Sequence, residues 1–183
     1  MLTMMLLFIT AFAFSQNKNT FYYGGITISN PAYFPGVSTS KAVGFGIELQ
    51  REHFFSEKFS WIVSAGYNHF SGNYSYFNSL NSAKDTVIHN FDNIPLLTGV
   101  KFYFVRNIYV GAEAGLLIGI NKNIGTVFSL APSAGYKIQI GKKNDIDVGI
   151  RLINAMQFAA PPESNSLRKG GYGIWSLKIA YSF

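Results

Sequence analysis

The chain has 183 residues, a formal net charge of +6 and no cysteine, and 13% of its residues are charged and 16% aromatic. That length suits one domain with a sizeable core, and so aromatic a composition excludes a disordered chain. The missing cysteine excludes a disulfide scaffold and a thiolate metal site. Beyond the N-terminus no apolar run reaches the roughly 18 residues that a membrane-spanning helix needs.

The first ten residues are almost wholly apolar and continue as Ala11-Phe12-Ala13-Phe14-Ser15-Gln16. Small residues at Ala13 and Ser15 fit a signal-peptidase site that cuts before Gln16. No Lys or Arg precedes the apolar stretch. Residues 1–15 are therefore expected to be a cleaved signal peptide, and residues 16–183 a single domain. No cysteine follows the cut, which excludes a lipid anchor.

Period-two alternation then recurs along the chain. The first strand, near residues 21–28, is the least clear, because Phe21-Tyr22-Tyr23 lets either face point out. Val43, Phe45, Ile47 and Leu49 alternate with Gly44, Gly46, Glu48 and Gln50. Phe59, Trp61, Val63, Ala65 and Tyr67 alternate with Ser60, Ser64, Gly66 and Asn68. Leu96, Val100, Phe102 and Phe104 alternate with Gly99, Lys101 and Tyr103. Ile108, Val110, Ala112, Ala114, Leu116, Ile118 and Ile120 alternate with Tyr109, Gly111, Glu113, Gly115 and Gly119. Phe128, Leu130, Ala134, Tyr136, Ile138 and Ile140 alternate with Ser129, Ser133, Gly135, Lys137 and Gln139. Ile146, Val148, Ile150 and Leu152 alternate with Asp147, Gly149 and Arg151. Trp175, Leu177, Ile179, Tyr181 and Phe183 alternate with Ser176, Lys178, Ala180 and Ser182.

Eight strands result, joined alternately by short and long connections. Short ones fall at residues 55–58, 105–107 and 141–144; longer ones, rich in Gly, Pro, Ser and Asn, at 29–40, 71–85, 121–125 and 159–170. This rhythm belongs to an eight-stranded antiparallel transmembrane β-barrel, with short periplasmic turns and longer extracellular loops. Lipid offers no hydrogen-bond partner, so a spanning sheet must close on itself. One face is a continuous apolar set, and the other holds Gly, Ser, Asn and charges that make a poor dry core. The apolar face is therefore expected outside. Aromatics are expected to form girdles, with Phe59, Trp61, Phe102, Phe104, Tyr181 and Phe183 on the short-turn side and Tyr67, Phe128, Phe158 and Trp175 nearer the loops. Pro95 and Pro132 interrupt strand patterns, and counting from the short turns puts both near the outer rim.

The chain ends on an aromatic residue of the greasy face, after Trp175 and Tyr181. This resembles the C-terminal signal that barrel-assembly machinery reads in Gram-negative outer membranes. The stretches Ile94-Pro95-Leu96-Leu97-Thr98-Gly99-Val100-Lys101-Phe102-Tyr103-Phe104 and Tyr109-Val110-Gly111-Ala112-Glu113-Ala114-Gly115 resemble the small outer-membrane β-barrel proteins of Bacteroidetes, including PorT-like proteins. The resemblance implies residence in the outer membrane and, for PorT-like members, a link to protein secretion.

The inward-facing charges are Glu48, Lys101, Glu113, Lys137, Asp147, Arg151 and Lys178, three acids against four bases. An eight-stranded lumen is just wide enough for side chains to fill, so these groups are expected to pair and plug it. His53, His69 and His89 show no metal-ligand spacing, and no cofactor motif is present. His69-Phe70-Ser71 resembles the His-x-Ser of a barrel lipid A deacylase, but no paired acid is identifiable, so a histidine at a polar strand rim is the reading adopted. The bases do not cluster on one element, which argues against a nucleic-acid partner. Lys41, Lys84, Lys122, Arg168 and Lys169 fall at or near the long loops, where lipopolysaccharide phosphates lie. In the second loop, Tyr74, Tyr76 and Phe77 form the best candidate contact surface.

The expected function is that of a non-enzymatic, integral outer-membrane protein acting structurally or through its loops on envelope partners. A secretion accessory, a narrow channel and a soluble lipocalin-like carrier are the alternatives.

Overall fold

Backbone hydrogen bonding decides the architecture, because eight alternating strands can hide their edges only by closing into a ring. The computed structural model describes residues 19–32, 43–76, 86–120, 126–140, 144–156 and 172–183. The expected signal peptide, Phe77, Phe158, His89's side chain and the basic loop residues Lys41, Lys84, Lys122, Arg168 and Lys169 lie outside what is described. The strands are β1 (Thr20–Ala32), β2 (Val43–Phe54), β3 (Phe59–Tyr76), β4 (Thr86–Val105), β5 (Ile108–Gly119), β6 (Thr126–Ile140), β7 (Asn144–Met156) and β8 (Tyr172–Ser182). Each pairs antiparallel with its neighbours in chain order, and β1 closes on β8 from Tyr23↔Ser182 to Ala32↔Gly173.

The exterior is the apolar face. Ile26, Phe45, Ile47, Leu49, Val100, Leu116, Ile150 and Ile179 all stand exposed on it. The girdle aromatics Phe59, Trp61, Phe104, Tyr181, Phe183, Tyr67, Phe128 and Trp175 are exposed as well. A soluble barrel buries such groups, whereas a membrane-spanning barrel offers them to lipid. Among the described residues no helix is long and apolar enough to cross a membrane; the strands do the crossing.

Three sequence expectations are corrected. First, two of the expected loops begin as strand. β1 runs on to Ala32, and β3 and β4 pair as far as Tyr76↔Thr86. The hairpin bends at Gly72, whose φ of 131° only glycine adopts without strain, where the register shifts between Ser71 and Tyr74. Second, only Pro95, opposite Leu117 and two residues short of the outer end of β5, lies near the outer rim as expected; Pro132 does not. Pro132 is opposite Ala112 in the middle of β6, and its missing N–H falls where the β6–β7 pairs step from Leu130↔Asn154 to Ser133↔Arg151. The missing N–H of Pro95 likewise falls in a gap of the β3–β4 pairs, between Ala65↔Leu96 and Asn68↔Asn93. Third, the lumen is not polar throughout. Its outer half holds an apolar cluster of Phe70, Phe91, Leu97, Leu117, Val127, Ala131, Ile153 and Ile174, with the Phe70 and Phe91 rings stacked 4.3 Å apart, beside the buried pairs Asn68–Asn93 and Ser29–Ser176.

Candidate functional site

The strands bring the charges together in two layers below that apolar cluster. In the layer nearer the short turns, Glu52 of β2 is wholly buried and is the hub. Its Oε1 accepts hydrogen bonds from Ser60 Oγ and Tyr103 Oη at 2.5 Å each. Its Oε2 accepts from Lys101 Nζ at 3.2 Å and Lys137 Nζ at 3.0 Å. Lys101 also reaches Asp147 at 3.0 Å, and Lys137 donates to Tyr23 Oη at 2.6 Å. Both ammonium groups lie over aromatic faces, Lys101 4.2 Å from the centre of the Tyr109 ring and Lys137 4.8 Å from that of Tyr23. Ring and charge attract through the ring quadrupole, which helps to compensate lost hydration. Tyr109 donates to Asp147 at 2.7 Å. Its ring has room because β6 and β7 carry Gly135 and Gly149 there; a methyl group at either would collide with the phenol.

In the layer above, Arg151 pairs with Glu48 and lies 3.4 Å from Glu113, which accepts from Ser64 Oγ at 3.1 Å. Lys178 joins the layers, reaching Asp147 at 3.1 Å, Gln50 Oε1 at 2.7 Å and Glu48 at 4.0 Å. A cavity of about 10 Å³ among Tyr109, Glu113, Ser133, Arg151 and Lys178 has space for at most one water.

All seven inward charges singled out from the sequence therefore lie in this network, each at most 7% exposed. Glu52 was missed, as was Asp145 at the short-turn end of β7, which accepts from Tyr23 Oη at 3.3 Å; with both, five acids face four bases. The signal was present: Glu52 continues the inward series of Glu48 and Gln50 by two, but Arg51-Glu52-His53 is polar on both faces and hides the alternation. The apolar half was missed as well. Its signal is the paired apolar residues Leu96-Leu97, Leu116-Leu117, Leu152-Ile153 and Ile174-Trp175, where both faces are apolar at the same end of the strands.

The remaining candidates do not join the network. Trp175, Tyr181 and Phe183 face outward, and the Phe183 N–H donates to the Tyr22 carbonyl at 3.0 Å, tying the last residue to β1. Tyr74 and Tyr76 belong to the projecting part of β3, opposite Ile88 and Thr86. On the outer face His69 does have an acid: Asp92, directly across on β4, lies 2.6 Å from Nδ1 and also accepts from Tyr67 Oη at 2.9 Å. Among the described contacts His69 makes no hydrogen bond to Ser71. No group of three metal-ligating side chains occurs among the described residues.

No protein-family model matches the chain, and no curated protein sequence matches it. Solved structures do. Neisserial surface protein A is 11% identical with a TM-score of 0.59, over 89% of this chain and 95% of that one. Ail, the attachment invasion locus protein of Yersinia pestis, is 15% identical with a TM-score of 0.50, over 90% of this chain and 98% of that one. Both are outer-membrane barrels of eight strands, and the likeness is one of fold.

Proposed function

We propose that this is an integral outer-membrane protein with no enzymatic activity, whose work is done by the hairpin of β3 and β4 where it leaves the barrel. The observation that carries this reading is the uneven length of the strands. Among the described residues β3 has 18 and β4 has 20, against 12 in each of their neighbours β2 and β5. The last β2 partner is Val43↔Ser71, and the last β5 partner is Gly119↔Asn93. Past Ser71↔Asn90 the hairpin continues without β2 or β5 among the described residues, for about 15 Å along the strand at roughly 3.3 Å per residue. Paired backbone past the wall is more rigid than a loop, and among the described strands neither β2 nor β5 pairs along its outer part.

The partners that fit are envelope proteins and the lipopolysaccharide around the rim. The C-terminal strand, ending in Trp175, Tyr181 and Phe183 on the outer face, is the segment we assign to the barrel-assembly machinery. His69, held by Asp92 and without a bond to Ser71, supports a rim role over a hydrolytic one. A channel fits less well, since the charged layers and the apolar cluster fill the lumen in series. A soluble carrier fits least, because its ligand needs an empty interior. A PorT-like role in secretion rests on stretches that form the β4–β5 wall.

The test is to replace residues 72–86 with a short Gly-Asn turn. The shortened protein is expected to remain a closed barrel, seen as a band that shifts on boiling, while cells lose whatever the deletion strain loses. A variant that restores the deletion strain fully would remove the hairpin from the function. Comparing secreted proteins in the same strains tests the secretion role.

A further inference from the structure

On the outward faces of the described strands only four side chains carry a charge or an imidazole: Arg51, His53, His69 and Asp92. His69 and Asp92 hold one another. Arg51 is different. It lies between Gln50 and Glu52, which face the lumen, so it points to the lipid side, opposite Tyr22 on β1 and Val63 on β3. It has no hydrogen bond or ion pair with any described residue, and its Nε is sealed from solvent without a partner. His53, two residues on, shares its face. The His53 Nδ1 is 2.9 Å from Thr20 Oγ1. With the hydroxyl donating, the ring carries its proton on Nε2 and presents a second outward donor.

An unpaired arginine is costly at the bilayer centre and nearly free at its edge. Arg51 is four positions before the turn that begins at Phe55, about 10 Å above it for a strand tilted near 45°. His53 is opposite Trp61, a girdle residue whose Nε1 is already committed to Thr98 Oγ1 at 2.9 Å. An arginine stem is long enough to bring a guanidinium to that level. The acceptors found there are headgroup oxygens.

We propose that Arg51 and His53 form a site for the anionic phosphate of a lipid headgroup, in the leaflet on the short-turn side. Guanidinium geometry suits two phosphate oxygens at once, and the exposed Trp61 flanks the acyl chains below. The proposal uses the membrane-spanning reading but goes beyond it, since a barrel can span without selecting a lipid.

The experiment uses Trp61 as a local reporter. The chain has two tryptophans, so a Trp175→Phe protein, refolded into phosphatidylcholine vesicles, reports from Trp61 alone. Quenching is compared for brominated phosphatidylglycerol and brominated phosphatidylcholine. The anionic lipid is expected to be preferred about fivefold, the equivalent of about 1 kcal/mol for one arginine at a charged surface. Arg51→Met should bring the ratio close to one, and Arg51→Lys should keep most of it; the boiling shift verifies that each variant is folded. Equal quenching by the two lipids, or a preference that Arg51→Met leaves intact, overturns the proposal. A preference removed by excess inorganic phosphate overturns the lipid assignment in favour of a free-ion site. Absence of quenching by either lipid contradicts the membrane reading itself.

Discussion

Replacing Glu52 with alanine is expected to destabilise the barrel by about 3–5 kcal/mol, the usual cost of removing one partner from a buried ion pair. Glu52 is completely buried and is the acceptor shared by Lys101 and Lys137. The two lysines do not suffer equally. Lys101 keeps Asp147 at 3.0 Å, whereas Lys137 keeps only the neutral Tyr23 hydroxyl among the described hydrogen-bond partners. Lys137 thus becomes a buried charge with no counter-ion in contact. The double variant Glu52→Gln with Lys137→Met should recover much of the loss, because charge and counter-charge leave together. Urea unfolding of vesicle-inserted protein measures both. A Glu52→Ala variant less than about 1 kcal/mol below the parent would mean that water reaches the lumen and screens the network.

The second large effect is expected on the other side of the same wall. Ile150, in the middle of β7, is 52% exposed and paired with Ala134 and Leu177 on the flanking strands. In water, replacing such a side chain with arginine costs little, since surface substitutions usually stay within about 0.5 kcal/mol. Facing the bilayer midplane, Ile150→Arg should cost about 2–4 kcal/mol. Arg151, one residue along, is buried and paired. The same side chain is thus stabilising at one position and excluded at the next. Unfolding in vesicles measures the cost, and a neutral Ile150→Arg would place this face in water.

The strands were legible because one face of each meets lipid and the other a filled lumen, which imposes a period of two over most of the length. The alternation fails where that contrast fails. In β1 both Tyr22 and Tyr23 are buried, so neither marks a face. At the outer ends Leu97, Leu117 and Ile153 are apolar and inward next to apolar, outward neighbours, and the expectation of a polar lumen could not accommodate them. Beyond the rim, Ser71–Tyr76 and Thr86–Asn90 have polar residues on both faces, so the sequence reads as loop although the backbone still pairs.

The site was legible residue by residue but not as a set of partners. That Lys101 and Lys137 face inward follows from their own strands. That both meet Glu52, 49 and 85 positions away, depends on the register in which eight strands close. The same holds for His69, whose acid was not identifiable until β4 placed Asp92 opposite it.

The central claim is that the wall has a lipid face and a filled face that alternate residue by residue. The chain contains no cysteine, so single cysteines carrying a nitroxide label can be introduced along β7 without altering any native thiol. In vesicles, labels at 146, 148, 150 and 152 are expected to collide freely with oxygen dissolved in the bilayer and hardly at all with a water-soluble nickel complex. Labels at 147, 149, 151 and 153, where they are tolerated, are expected to be shielded from both. Access of the nickel complex to the even-numbered positions would contradict the account, because it would put the apolar face in water.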